Sequence, residues 1–200
     1  MIRDMIDLLG MREIFWELQD IAKKNPKILD PYAFFDWMCR NYFAAVTIGA
    51  RRFVDRSKDS HSLWRMLFEI LEHPGALTRR SHVSFYRNTP PGFGNSSFSN
   101  IIGSKGKCLS QRSVRSDLRS IEDASRRIQR FVNKRVARSA GRGQLRRLPN
   151  LNELDAALDT IDRILCKYNL LLTAQGMTSA KATRQYEWTD VLRFPWVEQP

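Results

Sequence analysis

Apolar positions recur along this chain at steps of three and four residues, and no run alternates as a strand does. Residues 2–24 carry Ile2, Met5, Ile6, Leu9, Ile14, Trp16, Leu18 and Ile21, which predicts an amphipathic helix with Gly10 as its one weak point. Asn25-Pro26 ends it, because the residue before a proline disfavours helical backbone. Asp30 is placed to cap the next helix, with Pro31 in its first turn. That helix, over about 31–56, puts Phe34, Phe35, Met38, Tyr42, Ala45, Val46, Gly49 and Phe53 on its inner side. Ala44, Ala45, Gly49 and Ala50 would let a neighbouring helix approach closely. Ser60 or Ser62 caps a third helix with Leu63, Met66, Leu67, Ile70 and Leu71 on one face, and His73-Pro74-Gly75 stops it.

The pattern fails over 84–110. Pro90, Pro91, Gly92, Gly94, Gly103 and Gly106 are mixed with Ser and Asn, which predicts a long irregular surface loop or a partly disordered insertion. It returns strongly over 112–138. Val114, Leu118, Ile121, Ser125, Ile128, Val132 and Val136 fall within roughly 80° of arc at about 100° per residue. Gly141 and Gly143 break the chain. A further helix is predicted over about 152–174, with Leu154, Leu158, Ile161, Leu165, Tyr168 and Leu172 as its buried stripe and Gly176 beyond its end. The aromatics Trp188, Phe194 and Trp196, with Pro195, imply that the tail 180–200 packs back on the body. The expected fold is all-α: one domain over 1–200, a bundle of four long helices with smaller pieces.

Charge changes the picture in one place. The chain of 200 residues carries a net +12. Residues 105–148 alone hold 14 basic and 3 acidic side chains, so a fifth of the chain supplies nearly all the excess. Arg115, Arg119, Arg126, Arg127, Arg130, Lys134 and Arg138 lie on the side of the helix away from its apolar stripe. Guanidinium groups pair bidentately with phosphate and stay charged, so this stripe points to an anionic partner, nucleic acid ahead of anionic lipid. A membrane surface fits less well, because the apolar side of the same helix is used by the core.

Other chemistry is thin. Cys39, Cys108 and Cys166 are odd in number and far apart, and no CxxC pair exists. Cys39 and Cys166 read as reduced core thiols. Charges at Arg3, Asp4, Asp7, Arg12, Glu13 and Glu17 break up any leader-type apolar core, and no run approaches the ~20 residues of a membrane span, which implies a cytoplasmic protein. Gly103-Ser104-Lys105-Gly106-Lys107 lacks the phosphate-loop pattern and a preceding strand. Asp155, Asp159 and Asp162 share a helix face near a helix N-terminus, read as a solvated face that could meet the arginines of the preceding helix and not as a metal site. No cofactor or metal is expected.

Four segments taken together carry a resemblance: ARRFVDRSKDSHSLWRML, SDLRSIEDASRRIQRFVNKRVAR, LNELDAALDTIDRILCKY and EWTDVLRFPW. Their order and spacing, over about residues 30–197, resemble the HEPN superfamily, in particular its abortive-infection, AbiU-like branch. The resemblance implies a helical bundle that forms a homodimer and acts as a metal-independent endoribonuclease in toxin–antitoxin or antiphage systems. It also implies an antitoxin or an acidic protein as a candidate partner. The family's motif pairs an arginine, usually followed by a polar residue, with a histidine four to six residues on, and two copies meet in one cleft.

This chain departs from that motif. The run is Val132-Asn133-Lys134-Arg135-Val136-Ala137-Arg138, with Arg138 where the histidine is expected and Arg130 as the nearest upstream arginine on the same face. Val132 stands where the motif arginine could fall, so the candidate site residues are Arg130, Asn133 and Arg138, and the implied RNA contacts are Arg126, Arg127, Arg130, Lys134, Arg135, Arg138 and Arg142. An arginine holds a phosphate but cannot serve as a general base near neutral pH. The reading is an RNA-binding protein on a ribonuclease scaffold with cleavage silenced, through natural degeneration or replacement of a histidine. His61, His73 and His82 lie outside the motif and read as helix-end or loop residues. The alternative is a non-enzymatic regulator or interaction module that binds nucleic acid or an acidic protein.

Overall fold

Each long apolar period forms a helix in the computed structural model, which describes residues 1–30, 32–133 and 149–194. Helix α1 spans Ile2–Lys24 and runs through Gly10 without a break. Helix α2 spans Tyr32–Phe53 and α3 spans Leu63–Glu72, with the Ser62 hydroxyl accepting from the Arg65 amide as its cap. After two short helices come α6, Gln111–Phe131, and α7, Leu151–Thr173. The Asn150 side chain accepts from the Glu153 amide and Glu153 accepts from the Asn150 amide, a reciprocal capping box that fixes where α7 begins. Among the described residues there is no strand, only an isolated antiparallel bridge between Thr78 and Cys108. Pro31 and residues 134–148 and 195–200 lie outside the described residues. So do the expected first-turn proline of α2, the breaks at Gly141 and Gly143, and the aromatic Trp196.

The four long helices share one core. α6 packs on α7 and α2, α2 on α1 and α7, and α3 covers α6. Val114, Leu118, Ile121, Ser125, Ile128 and Val132 are all buried, as the period of α6 predicts, and they meet Leu154, Leu158, Ile161 and Leu165 of α7 within one apolar cluster. Burial of each such aliphatic side chain stabilises the fold by about 1.5–3 kcal/mol. At Gly49, α2 packs tightly against Leu8 of α1. A Cβ placed there would lie 2.5 Å from Leu8 Cδ2, so the small residue sets the spacing of that pair.

Three expectations fail. Phe34 and Ala45, expected inside, lie on the outer face of α2, and Leu172 is 38% exposed while Leu171 takes its place in the core. An apolar residue beside the buried arc reads as core on period alone, but which edge of the arc is covered depends on the neighbouring helix. The stretch 84–110 is not an irregular loop. It contains a 3-10 turn, Ser84–Tyr86, and helix α5, Phe93–Ile102, which follow the short α4, Arg79–Val83. Gly92 and Gly103, at φ of 88° and 92°, bracket α5 in conformations that only glycine adopts easily. Phe98 of α5 is fully buried, so tertiary packing overrides a composition rich in Ser, Asn and Gly.

One arginine ties this region together. Arg79 donates to the carbonyls of Asn95, Gly103, Ser104 and Gly106 and to the Ser99 hydroxyl, and lies over the Phe98 ring at 4.8 Å. The Gly103–Lys107 segment is therefore held from inside by Arg79. Arg79→Lys keeps the charge but cannot reproduce this fork of donors. It is expected to cost about 1–3 kcal/mol of stability and to speed amide hydrogen exchange over 103–108 while α6 and α7 stay protected. Unchanged exchange over 103–108 would show that the segment is held by something else.

Candidate nucleic-acid interface

Helix α6 is capped at Ser110, whose hydroxyl accepts from the Ser113 amide, and carries six arginines in 21 residues. With the apolar arc buried, Arg112, Arg115, Arg119, Arg126, Arg127 and Arg130 are all exposed. Two of them are neutralised: Arg126 pairs with Asp123 on its own helix, and Arg127 reaches across to Glu153, the acid of the α7 capping box. Arg112, Arg115, Arg119 and Arg130 make no ion pair with any described residue. From Arg112 to Arg130 is 18 residues, or about 27 Å of helix.

The other two acids of α6 are used elsewhere. Glu122 accepts from Arg56 at 2.7 Å and from Trp64 Nε1 at 2.6 Å, with Arg56 over the Trp64 ring. Asp117 sits in the α6–α7 seam, where Lys167 Nζ donates at 2.6 Å and Tyr168 Oη at 2.9 Å. Burial, and then the Asp117 charge, push the Tyr168 phenol well above its ordinary value. This seam cluster was not foreseen. Its signal was weak, since position 117 falls about 20° beyond the edge of the apolar arc at about 100° per residue, where a carboxylate that becomes buried needs a partner.

Asn133 is the last described residue of α6's run and, of the described motif positions, the one with a hydrogen bond to another helix. Its Oδ1 accepts from Arg51 Nε at 2.8 Å, and Arg51 also pairs with Asp55 at 3.6 Å. Arg51, which the motif reading had not included, thus adds a cation beside the C-terminal end of the stripe. Arg130 is exposed on the stripe itself. Lys134, Arg135, Arg138 and Arg142 lie outside the described residues.

The aspartates of α7 do not meet the arginines of α6. Asp155 accepts from Trp16 Nε1 at 2.9 Å, Asp159 pairs with Arg12 at 2.6 Å, and Asp162 holds the Ser179 hydroxyl and the Ala180 amide at 2.6 and 2.8 Å. Their side of α7 faces α1 and the start of the tail, and Glu153 alone faces α6. The tail continues along α1: Arg184 pairs with Glu13 and Glu17, and Trp188 Nε1 donates to Glu17. Phe194 is exposed.

His82, expected at a helix end or in a loop, lies in the last turn of α4 but is 1% exposed, with its ring nitrogens on the Leu171 carbonyl and the Ser97 hydroxyl. Cys166 is buried against Asp162, and burial followed by that charge pushes its thiol up to about 11. Cys39 is half-buried and Cys108 exposed, and all three are free thiols. Among the described residues no three His, Cys, Asp or Glu side chains converge where a metal ion could sit. No described helix is long and apolar enough to cross a membrane.

Comparison of the chain with family models, with curated proteins and with solved structures finds no match. The arrangement therefore rests on its own chemistry: four exposed arginines with no ion pair to any described acid, on a helix whose other side is buried in the core.

Asp155 offers a check on the α1–α7 contact. Burial raises its carboxyl above the ordinary value, opposed by the Trp16 hydrogen bond and Arg12, and Asp155 Oδ1 and Tyr42 Oη are both buried without partners. A carboxyl raised in the folded state contributes stability below its unfolded pKa and loses it as pH rises through the folded one. Asp155→Asn is therefore expected to be at least as stable as wild type at neutral pH, with its advantage shrinking as pH falls through the raised folded value to the ordinary carboxylate value. Thermal melts across that range check this, and a lower neutral-pH midpoint for Asp155→Asn would contradict it.

Proposed function

We propose that this chain binds RNA along the arginine face of α6, on a HEPN-type scaffold of the toxin or antiphage-defence kind whose cleavage chemistry is silenced at Arg138. The observation that carries the binding reading is the row Arg112, Arg115, Arg119 and Arg130, exposed and unquenched by any described acid. Arg51, itself paired with Asp55, donates to Asn133 at the C-terminal end of that row. Rigid, permanently charged forks held on one face of a helix suit a polyphosphate strand, since each phosphate neutralised releases condensed counterions.

The silencing reading rests on the sequence at 130–138. Ribonuclease action without a metal needs a group that takes the proton from a ribose 2′-hydroxyl as its oxygen attacks the adjacent phosphorus, and a proton for the departing 5′-oxygen. A guanidinium supplies phosphate binding and charge neutralisation but not that proton traffic. Arg138→His restores a group that titrates near pH ~6.5.

Two measurements test this. Binding to a single-stranded RNA should fall with salt with a logarithmic slope of at least about −3, from four arginines at about 0.7 each, and each of Arg119→Gln and Arg130→Gln should reduce that slope by about 0.7. No RNA binding, or a slope untouched by these substitutions, would favour the reading of a module for an acidic protein. Arg138→His should cleave RNA in the presence of chelator, leaving 2′,3′-cyclic phosphate ends, at ~10² to 10⁴ times the rate of the unaltered chain. Equal inactivity of both folded forms would remove the ribonuclease scaffold from the account and leave RNA binding standing or falling on the salt slope.

A further inference from the structure

The flank where α3 meets α6 supports an inference that rests on the RNA-binding reading and deepens it. Four side chains there form one stack. Arg56 Cζ lies over the Trp64 ring at 5.1 Å, Trp64 stacks on Phe68 with centroids 5.1 Å apart and planes 11° from parallel, and Arg65 Cζ lies over Phe68 at 5.5 Å. Trp64 and Phe68 stand four residues apart on α3, so the helix itself brings the two rings together. Both are half-buried, and Phe68 lies outside the apolar core cluster, so filling the interior does not account for it.

The two ends of the stack differ. At one end Arg65 pairs at 3.0 Å with Glu69, which is exposed, so an acid stands at the surface there. At the other end the Arg56 side chain is 57% exposed but pinned. Its Nη2 donates to Glu122 Oε1 at 2.7 Å, and Trp64 Nε1 donates to the same oxygen at 2.6 Å. One carboxylate oxygen thus holds the guanidinium over the indole, and is itself neutralised in doing so.

The Arg56 end lies beside the arginine row. α3 runs antiparallel to α6: Trp64 meets Glu122, and the Leu71 carbonyl accepts from Gln111 Nε2 at 3.4 Å. At about 100° per residue, Arg115 and Arg119 lie within about 60° of Glu122 around α6, on the side away from its apolar arc. Arg119 is about one turn and Arg115 about two turns from Glu122 along the axis. A strand whose phosphates follow the row carries its bases past Arg56. An unpaired base that reaches it meets a guanidinium backed by two aromatic rings, and such planes stack on bases as aromatic faces do. Because Glu122 already holds the guanidinium, it has little freedom to lose on binding. A base inside a duplex is stacked on its neighbours and has no free face to offer.

We propose that Arg56, backed by Trp64 and Phe68, is a stacking subsite for one unpaired nucleobase of the strand whose phosphates lie on α6. The subsite selects single-stranded over duplex ligand and adds a base contact to a surface that otherwise reads only phosphate. The test is binding of the full chain to two probes of equal length, about a dozen nucleotides: an oligouridylate, and the same ribose–phosphate backbone without bases. Wild type should bind the oligouridylate about tenfold more tightly, the increment of one stacked base. Arg56→Lys keeps the charge and removes the plane. It should lower oligouridylate binding to the level of the base-free strand, and leave the affinity and salt slope of the base-free strand unchanged. Phe68→Leu should remove part of the increment with the same selectivity, and thermal melts establish that both variants are folded. Equal affinity of wild type for the two probes, or a difference that survives Arg56→Lys, overturns the subsite and leaves RNA binding along α6 standing. Equal weakening of both probes by Arg56→Lys makes Arg56 a phosphate contact and also overturns it. Failure of wild type to bind either probe removes the RNA reading and the subsite with it.

Discussion

A helix that carries six arginines is held in place only by what its other face can bury. For α6 that face is a narrow arc, and Ile121, Ser125 and Ile128 at its centre are fully enclosed. The rest of the described core is arranged around this requirement. α7 and α2 close on the arc from two sides, and α3 covers the third. Within the seam, Asp117 is accommodated because Lys167 and Tyr168 both donate to one of its oxygens. Removal of either donor would leave a buried carboxylate short of a partner, which is costly in a way that loss of a surface ion pair is not. The seam thus fixes α6 rigidly. Its arginines are then presented on a fixed rod, with less entropy to lose on binding than if they hung from a loop.

Much of this was legible in the chain. The period of three and four located α1, α2, α3, α6 and α7, and the cap at Ser62 and the acid-rich start of α7 appear as read. What was not legible shares one physical cause. Periodicity states which residues lie on one side of a helix, but not which neighbour covers them. Phe34 and Ala45 sit beside the buried arc of α2 and are expected inside, yet both are exposed among the described residues. Asp155, Asp159 and Asp162 share a face as expected, but that face turns to α1 and the tail, since α7 meets α6 along Glu153 and the leucine stripe. The helix α5 was hidden for a different reason. Its residues have little intrinsic preference for helix, and it exists because Phe98 fills the core and Arg79 gathers the carbonyls around its C-terminal end.

The candidate site divides in the same way. The exposed, unquenched arginines of α6 follow directly from charge counting on a helical wheel. Arg51 beside Asn133 does not, because the two are 82 positions apart and only the packing of α2 on α6 joins them. The histidines show the reverse. His82 is chemically the most suggestive by type, and the structure puts it to ordinary use between a carbonyl and a hydroxyl, away from the cationic face.

The central claim is that one face of α6 is a built anion surface and not merely solvated charge. Arginine-selective chemical modification, read by mass spectrometry with and without a single-stranded RNA, tests it most directly. Arg112, Arg115, Arg119 and Arg130 should be protected together by RNA, while Arg40 and Arg193, exposed on other elements, keep their reactivity. Protection that is uniform over all exposed arginines, or absent from these four, would contradict the account.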